Sequence, residues 1–309
     1  MDDTSDLFVS RERLTQLVVD SVTALESKRA YARAVGNFLD WFQKQRPTTG
    51  FSRATVQRYR TVLIDSRLSS STVTLNLTAI RRLAAEAADN GFITSEVAAG
   101  IARIRGVRRN GLRIGKWLTI QEAEKLMDSP DVSTLKGKRD KALLAVLVGC
   151  GLRREEAARL SFQHVQEREG RWVIVDMLGK GKRIRTVPMP LFAKAAIDDW
   201  IQAAGFTSGH LFRPLNKAGK ISGESMSGQA VFEIVKQHTA KIGLSHTTPH
   251  HLRKTFARLA HNGKSSLEQV QLSLGHGSVA TTEKYVGVQQ DLKDAPCDHL
   301  GLRVSSSTS

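Results

Sequence analysis

Apolar and polar positions in the first third of the chain repeat at helical spacing. Tyr31, Val35, Phe38 and Phe42 fall on one face of a segment that Ser27 can cap, with Pro47 beyond its end. Ser52 can cap a second helix that turns Val56 and Leu63 inward. Ser70 and Ser71 precede a third, in which Val73, Leu77, Ile80, Ala84 and Ala87 recur until Asn90-Gly91 stops it. No strand alternation interrupts this part, and residues 1 to about 10 read as a frayed arm. Residues 1–102 therefore predict a small helical bundle. Its outer faces carry Arg53, Arg58, Arg60, Arg67, Arg81 and Arg82, as either a solvated surface or a DNA-contacting one.

The periodicity stops at residues 103–116, RIRGVRRNGLRIGK, with six basic residues, three glycines and no acid. Such a composition cannot pack a core and predicts an extended interdomain linker. Helical spacing returns after Trp117, where Thr119 and Glu122 form a capping box for a helix over 121–127. Arg139 to Leu147 begin another helix that runs into Gly149-Cys150-Gly151-Leu152-Arg153. A further turn, REEAARL, follows with Arg153 at its start, and Leu152 and Leu160 face the core. The period then changes to two. RWVIVD (171–176) reads as a strand, LGKGK (178–182) as a turn, and Arg183 to Val187 as a second strand ended by Pro188. This is a hairpin with two lysines at its tip. Helical segments follow at about 191–204 and 228–242, and the SSSTS end reads as disordered.

The stretch from Pro249 to Tyr285 reads as helix, tight turn, helix, tight turn, helix. Pro249 suits a first helical position behind a Thr247 or Thr248 cap. Asn262-Gly263 supplies a left-handed stop. Ser265 and Glu268 form a capping box for the next helix, which Gly275 ends. Ser278 can cap the last one. His250 and Arg253, three apart, share a face. The turns can fold His250, Arg253, His276 and Tyr285 toward one point. Singly, each is more often a packed or surface residue; together they outweigh that reading.

Composition narrows the classes. No run of 18 apolar residues occurs, and the acidic start MDDTSDLFVS lacks a signal-peptide pattern, so a cytoplasmic protein without a membrane partner is expected. Two cysteines, Cys150 in an apolar run and Cys297 in a polar tail, make neither a disulfide framework nor a zinc site. The net charge of +16 points to a polyanionic partner. Aromatic residues at 6% are too few for base stacking to dominate, which favours a duplex held through its phosphates.

Cleaving a phosphodiester by direct attack needs a nucleophile, donors for the two non-bridging oxygens, and a proton source for the leaving oxygen. The blocks GLRREEAARL, GKGKRIRTVP, PHHLRKTFA and LGHGSVATTEKY supply these types in order. No Asp/Glu metal cage accompanies them, so neither a metal nor another cofactor is expected. In these blocks the chain resembles the tyrosine recombinase (phage integrase) family, and with its helical first part the resemblance covers nearly its whole length.

The resemblance implies a mainly α fold with a small β component: a SAM-like core-DNA-binding domain over 1–102, a linker over 103–116, and an α+β catalytic domain with its tail over 117–309. It implies Tyr285 as nucleophile forming a 3′-phosphotyrosyl link, Arg153 and Arg253 on the scissile phosphate, and Lys180 as general acid, with Lys182 an alternative. His250 would take the tyrosine proton, His276 would bond the phosphate, and Glu156 would support Arg153. His251, next to His250, has a supporting or surface role. Arg103, Arg105, Arg108, Arg109, Arg113 and Lys116 would track DNA. The implied partners are double-stranded DNA, a homo-tetramer on paired sites exchanging strands through a Holliday junction, and an optional accessory DNA-bending protein. Xer-like or transposon-associated members, nucleoid-associated or carried on mobile elements, are the nearest in organisation. Two readings stay open beside recombination without metal or ATP: type IB topoisomerase-like relaxation, and DNA binding without chemistry. A metal-dependent nuclease is weaker, because the histidines lack carboxylate or cysteine partners.

Overall fold

The computed structural model describes residues 11–45, 48–107, 117–179 and 184–286, apart from the side chains of Ala280, Lys284 and Tyr285. The chain divides into two compact units, Met1–Leu112 and Arg113–Ser309.

The described part of the first unit is five helices: α1 Arg11–Asp20, α2 Leu25–Gln45, α3 Arg53–Asp65, α4 Ser70–Asp89 and α5 Ser95–Ala102. Their apolar faces meet in one core that includes Val35, Phe38, Val56, Leu63, Val73, Leu77 and Ile80. Phe38 sets its ring edge-on to Tyr59, with centroids 5.1 Å apart. Two caps differ from expectation. Ser27 lies inside α2, whose first backbone bond runs from Lys28 N to the Ala24 carbonyl. Ser69 rather than Ser70 or Ser71 caps α4, accepting from Thr72 N at 3.1 Å. Ser52 caps α3 as expected. Pro47 and the arm over 1–10 lie outside the described residues.

Of the six arginines expected on its outer faces, Arg53, Arg58, Arg67 and Arg82 are exposed. Arg60 and Arg81 donate to the carbonyls of Arg105 and Ile104, and Arg82 donates to Ser21. Ile104 is buried in the core, so packing continues into a segment whose composition predicted none. An apolar residue between basic ones can still reach a core when neighbouring guanidiniums bond its backbone. Positions 108–116, with Arg108, Arg109, Arg113 and Lys116, lie outside the described residues.

The second unit contains α6 Ile120–Met127, α7 Leu135–Gly149, α8 Arg154–Ala158, β1 Val165–Arg168, β2 Arg171–Leu178, β3 Ile184–Pro188, α9 Leu191–Ala204, α10 Gly228–Lys241, α11 Pro249–Asn262, α12 Leu267–Leu274 and α13 Val279–Val286. Helix α7 is the centre of the core, with every residue from Ala142 to Val148 buried. It starts four residues before the expected Arg139, behind a Thr134 cap. The hairpin is part of a three-stranded antiparallel sheet of order β1-β2-β3. Strand β1, VQER, is short, partly exposed and polar, so its sequence carries no alternation to detect. The tip, Lys180 to Arg183, lies outside the described residues.

At the C-terminal helices the punctuation differs by one residue twice. Helix α11 ends at Asn262, but the left-handed residue is Lys264 (φ 67°), and Gly263 has φ −78°. Ser266, not Ser265, caps α12 through Gln269 N. Gly275 is left-handed at φ 63°, as expected, and delivers His276 directly after α12. Among the described residues no helix is long and apolar enough to cross a membrane.

Candidate active site

Thr248 caps α11, and its backbone N–H donates to Nδ1 of His251 at 3.2 Å. His251 thus serves the cap, which leaves His250 and Arg253 one turn along α11. Arg253 is almost completely buried, and its guanidinium donates to the carbonyls of Gly151 and Leu274. Those two carbonyls come from the loop before Arg153 and the end of α12 before His276. One side chain therefore fixes three of the sequence blocks together.

Arg153 is the N-cap residue of α8. Its backbone N–H donates to Glu156 Oε2 at 2.8 Å, and its Nη1 lies 2.7 Å from Oε1. The side chain keeps 31% of its surface exposed, so an incoming anion can reach it. Glu156 is buried and also meets Arg185 of β3, with Nη1–Oε1 at 3.1 Å and Nη2–Oε2 at 2.8 Å. Arg253 Nη1 lies 3.9 Å from the same carboxylate. Burial alone would raise the Glu156 pKa. The hydrogen bonds and charge of Arg185, then those of Arg153, outweigh burial and hold the carboxyl below the usual range. One carboxylate among three guanidiniums leaves a surplus of positive charge where the two motif arginines meet.

Arg185 was not singled out in the sequence, where it is one basic residue in a polar-looking strand. Its Nε also donates to the Ser273 carbonyl at 2.9 Å, joining the sheet to the end of α12.

His276 is buried, and its Nδ1 lies 3.0 Å from Oγ1 of Thr282 on α13. Burial and then the charges of Arg253, Arg153, Arg185 and His250 push its imidazole down to about 4. His250 is pushed down to about 4 by burial of the ring and then by Lys254, His251, Arg253 and Arg153. Both imidazoles are neutral at pH 7.

Helix α13, which carries Tyr285, is docked on its own unit. Val286 is buried with Ala257, Val270 and Leu274, Arg258 Nη1 donates to the Val286 carbonyl at 2.7 Å, and Thr282 bonds His276. The Tyr285 side chain, Lys180 and Lys182 lie outside the described residues.

Residues 116–291, more than half of the chain, match the phage integrase family. The chain belongs to that family. It is 30% identical over 259 residues to tyrosine recombinase XerC of Xylella fastidiosa (strain 9a5c), covering 83% of this chain and 84% of the relative. It is 33% identical over 186 residues to tyrosine recombinase XerD of Pseudomonas aeruginosa, covering 58% and 59%. In fold it is similar to XerH site-specific recombinase bound to palindromic difH substrate in a post-cleavage complex: TM-score 0.69, 22% identity, 85% of this chain and 77% of that one. A lambda integrase dimer bound to a COC′ core site gives a TM-score of 0.68 at 16% identity, covering 91% and 77%. The mainly helical fold with its small sheet is that of the tyrosine recombinases. This phage integrase family member is a tyrosine-type site-specific DNA recombinase.

Proposed function

We propose that the cluster of Arg153, Arg253, His250 and His276 binds the scissile phosphate of double-stranded DNA, and that Tyr285 attacks it. The observation that carries this reading is the docking of α13. The helix bearing Tyr285 is bonded through Thr282 to His276, inside the charge field of both arginines.

The roles of the arginines are unequal. Arg153 is reachable and meets a non-bridging oxygen directly. Arg253, held by two carbonyls, supplies fixed positive charge from beneath. Prearranged charge of this kind stabilises the developing phosphorane without reorganisation. In the step itself the Tyr285 oxygen bonds to phosphorus and its proton passes to the neutral His250. The bond from phosphorus to the 5′ oxygen breaks, and a hairpin lysine, Lys180 or Lys182, protonates that oxygen. The phosphotyrosyl ester retains the bond energy, so rejoining by a 5′ hydroxyl of a second strand needs no ATP. His276 donates to the phosphate throughout.

In this reading the first unit is a DNA-binding domain and exposed Arg53, Arg58, Arg67, Arg103 and Arg105 contact the backbone of the duplex. Four copies on two paired sites pass strands through a Holliday junction, and the protein works in the cytoplasm, where the chromosome is.

Incubating the chain with duplex DNA carrying its recombination site, with chelator present, tests the chemistry on a denaturing gel. A covalent protein–DNA adduct is expected, and Tyr285→Phe is expected to abolish it while duplex binding persists. An adduct that survives in Tyr285→Phe would remove Tyr285 as nucleophile.

A further inference from the structure

His276 can donate to a phosphate only through a ring nitrogen that carries a proton. A neutral imidazole has one N–H, and the partner of the opposite nitrogen decides which nitrogen keeps it. Here the opposite partner is Thr282 Oγ1, fully buried and 3.0 Å from Nδ1. A hydroxyl can donate or accept, so the pair has two states. If the hydroxyl donates, Nδ1 is the acceptor and the proton sits on Nε2. If it accepts, the proton sits on Nδ1, and Nε2 would present a lone pair to an anion.

We infer that Thr282 is a positioning residue for the recombinase reaction, donating its hydroxyl proton to Nδ1 and so keeping the His276 proton on Nε2, the nitrogen offered to the scissile phosphate. Only this state offers an N–H to the phosphate. Burial of the ring, with Arg253, Arg153 and Arg185 beside it, keeps it from taking a second proton, so the choice of tautomer decides whether it donates at all. Thr282 stands three residues before Tyr285 on the same helix, so docking of the nucleophile helix and preparation of His276 occur together. An undocked α13 leaves the histidine without its tautomer-setting partner. The inference rests on the role given to His276 above.

The test compares Thr282→Val, which keeps the shape and removes the hydroxyl, with Thr282→Ser, which keeps the hydroxyl. Imidazole nitrogen chemical shifts of the 15N-labelled full chain report the tautomer, with the His276 signal assigned by its loss in His276→Gln. Single-turnover adduct formation at saturating DNA reports the reaction. The expected result is an Nε2–H tautomer in wild type and Thr282→Ser, and its loss in Thr282→Val. The cleavage rate of Thr282→Val should fall about 10- to 100-fold, as for other residues that orient a reacting histidine. An unchanged tautomer in Thr282→Val overturns the inference whatever the rate does, and so does a rate within about twofold of wild type. Wild-type cleavage by His276→Gln would instead overturn the role of His276 itself. If Thr282→Val does not fold, Thr282→Ala against Thr282→Ser makes the same comparison.

Discussion

Two buried or crowded histidines at the proposed phosphate-binding centre have a measurable cost at low pH. The His276 imidazole sits at about 4 in the folded chain against 6.5 unperturbed, so between those values the unfolded chain binds the extra proton. Stability from this group is complete above about pH 6.5 and is lost as pH falls toward 4. Urea unfolding midpoints are expected to fall over that window, and to fall less in His276→Gln, which cannot take up the proton. A pH dependence identical in the two proteins would show that His276 is not held neutral. Burial of the ring sets the sign first, and Arg253, Arg153, Arg185 and His250, all cationic or able to become so, reinforce it. At this scale the sequence was most informative where residue type is tied to chemistry. Arg153, His250, Arg253 and His276 stood out by type and spacing, and Glu156 through the family resemblance. Arg185 and Thr282 did not, because their roles depend on what lies opposite them in space. A weak trace of Thr282 was present: with Val286 and partly buried Val279 it marks the inward face of α13, while Thr281 points to solvent.

Elements place these side chains through a few turns, and one turn carries more than its share. Gly275 is left-handed, and a Cβ there would lie 2.8 Å from Cδ of Arg185. Gly275→Ala therefore meets a backbone cost of roughly 1–2 kcal/mol for the left-handed conformation, and a clash with the side chain that holds Glu156. Thermal unfolding is expected at a lower temperature, and adduct formation is expected to slow because His276 is the next residue. A variant with wild-type stability and cleavage would mean that the turn tolerates a side chain. Helix ends were legible from the sequence to within a residue or a few, as at Ser69, Ser266 and Lys264. Capping chemistry offers neighbouring serines or a neighbouring glycine as equivalent choices, and only packing selects among them. Strand β1 was not legible, since a valine followed by three polar residues becomes a strand only by pairing with β2.

For the whole chain, the sequence placed a linker over 103–116, while the two compact units meet at Leu112–Arg113. Ile104 joins the first core although basic residues surround it, because Arg60 and Arg81 donate to the adjacent carbonyls of Arg105 and Ile104. The same bonds withdraw two arginines from the surface that could meet DNA. Replacing Arg53, Arg58 and Arg67 together by glutamine is expected to weaken duplex binding at low salt. It should also flatten the dependence of log K on log salt by about 0.9 for each phosphate no longer neutralised. Replacing Arg60 and Arg81 should instead lower stability. An unchanged salt slope in the triple variant would place the DNA-binding surface elsewhere on the chain.

The four-residue cluster that holds α13 sets this helix apart from the rest of its unit. Val286 anchors the helix in a patch separate from the main core, and burying one such side chain contributes about 1.5–3 kcal/mol. The Arg258 bond to the Val286 carbonyl and the Thr282 bond to His276 add to that anchor. Removing Val286, the Arg258 bond or the Thr282 bond would loosen the helix that bears Tyr285 without touching the main core. The position of Tyr285 is thus set by a valine, an arginine and a threonine that lie apart from the main core.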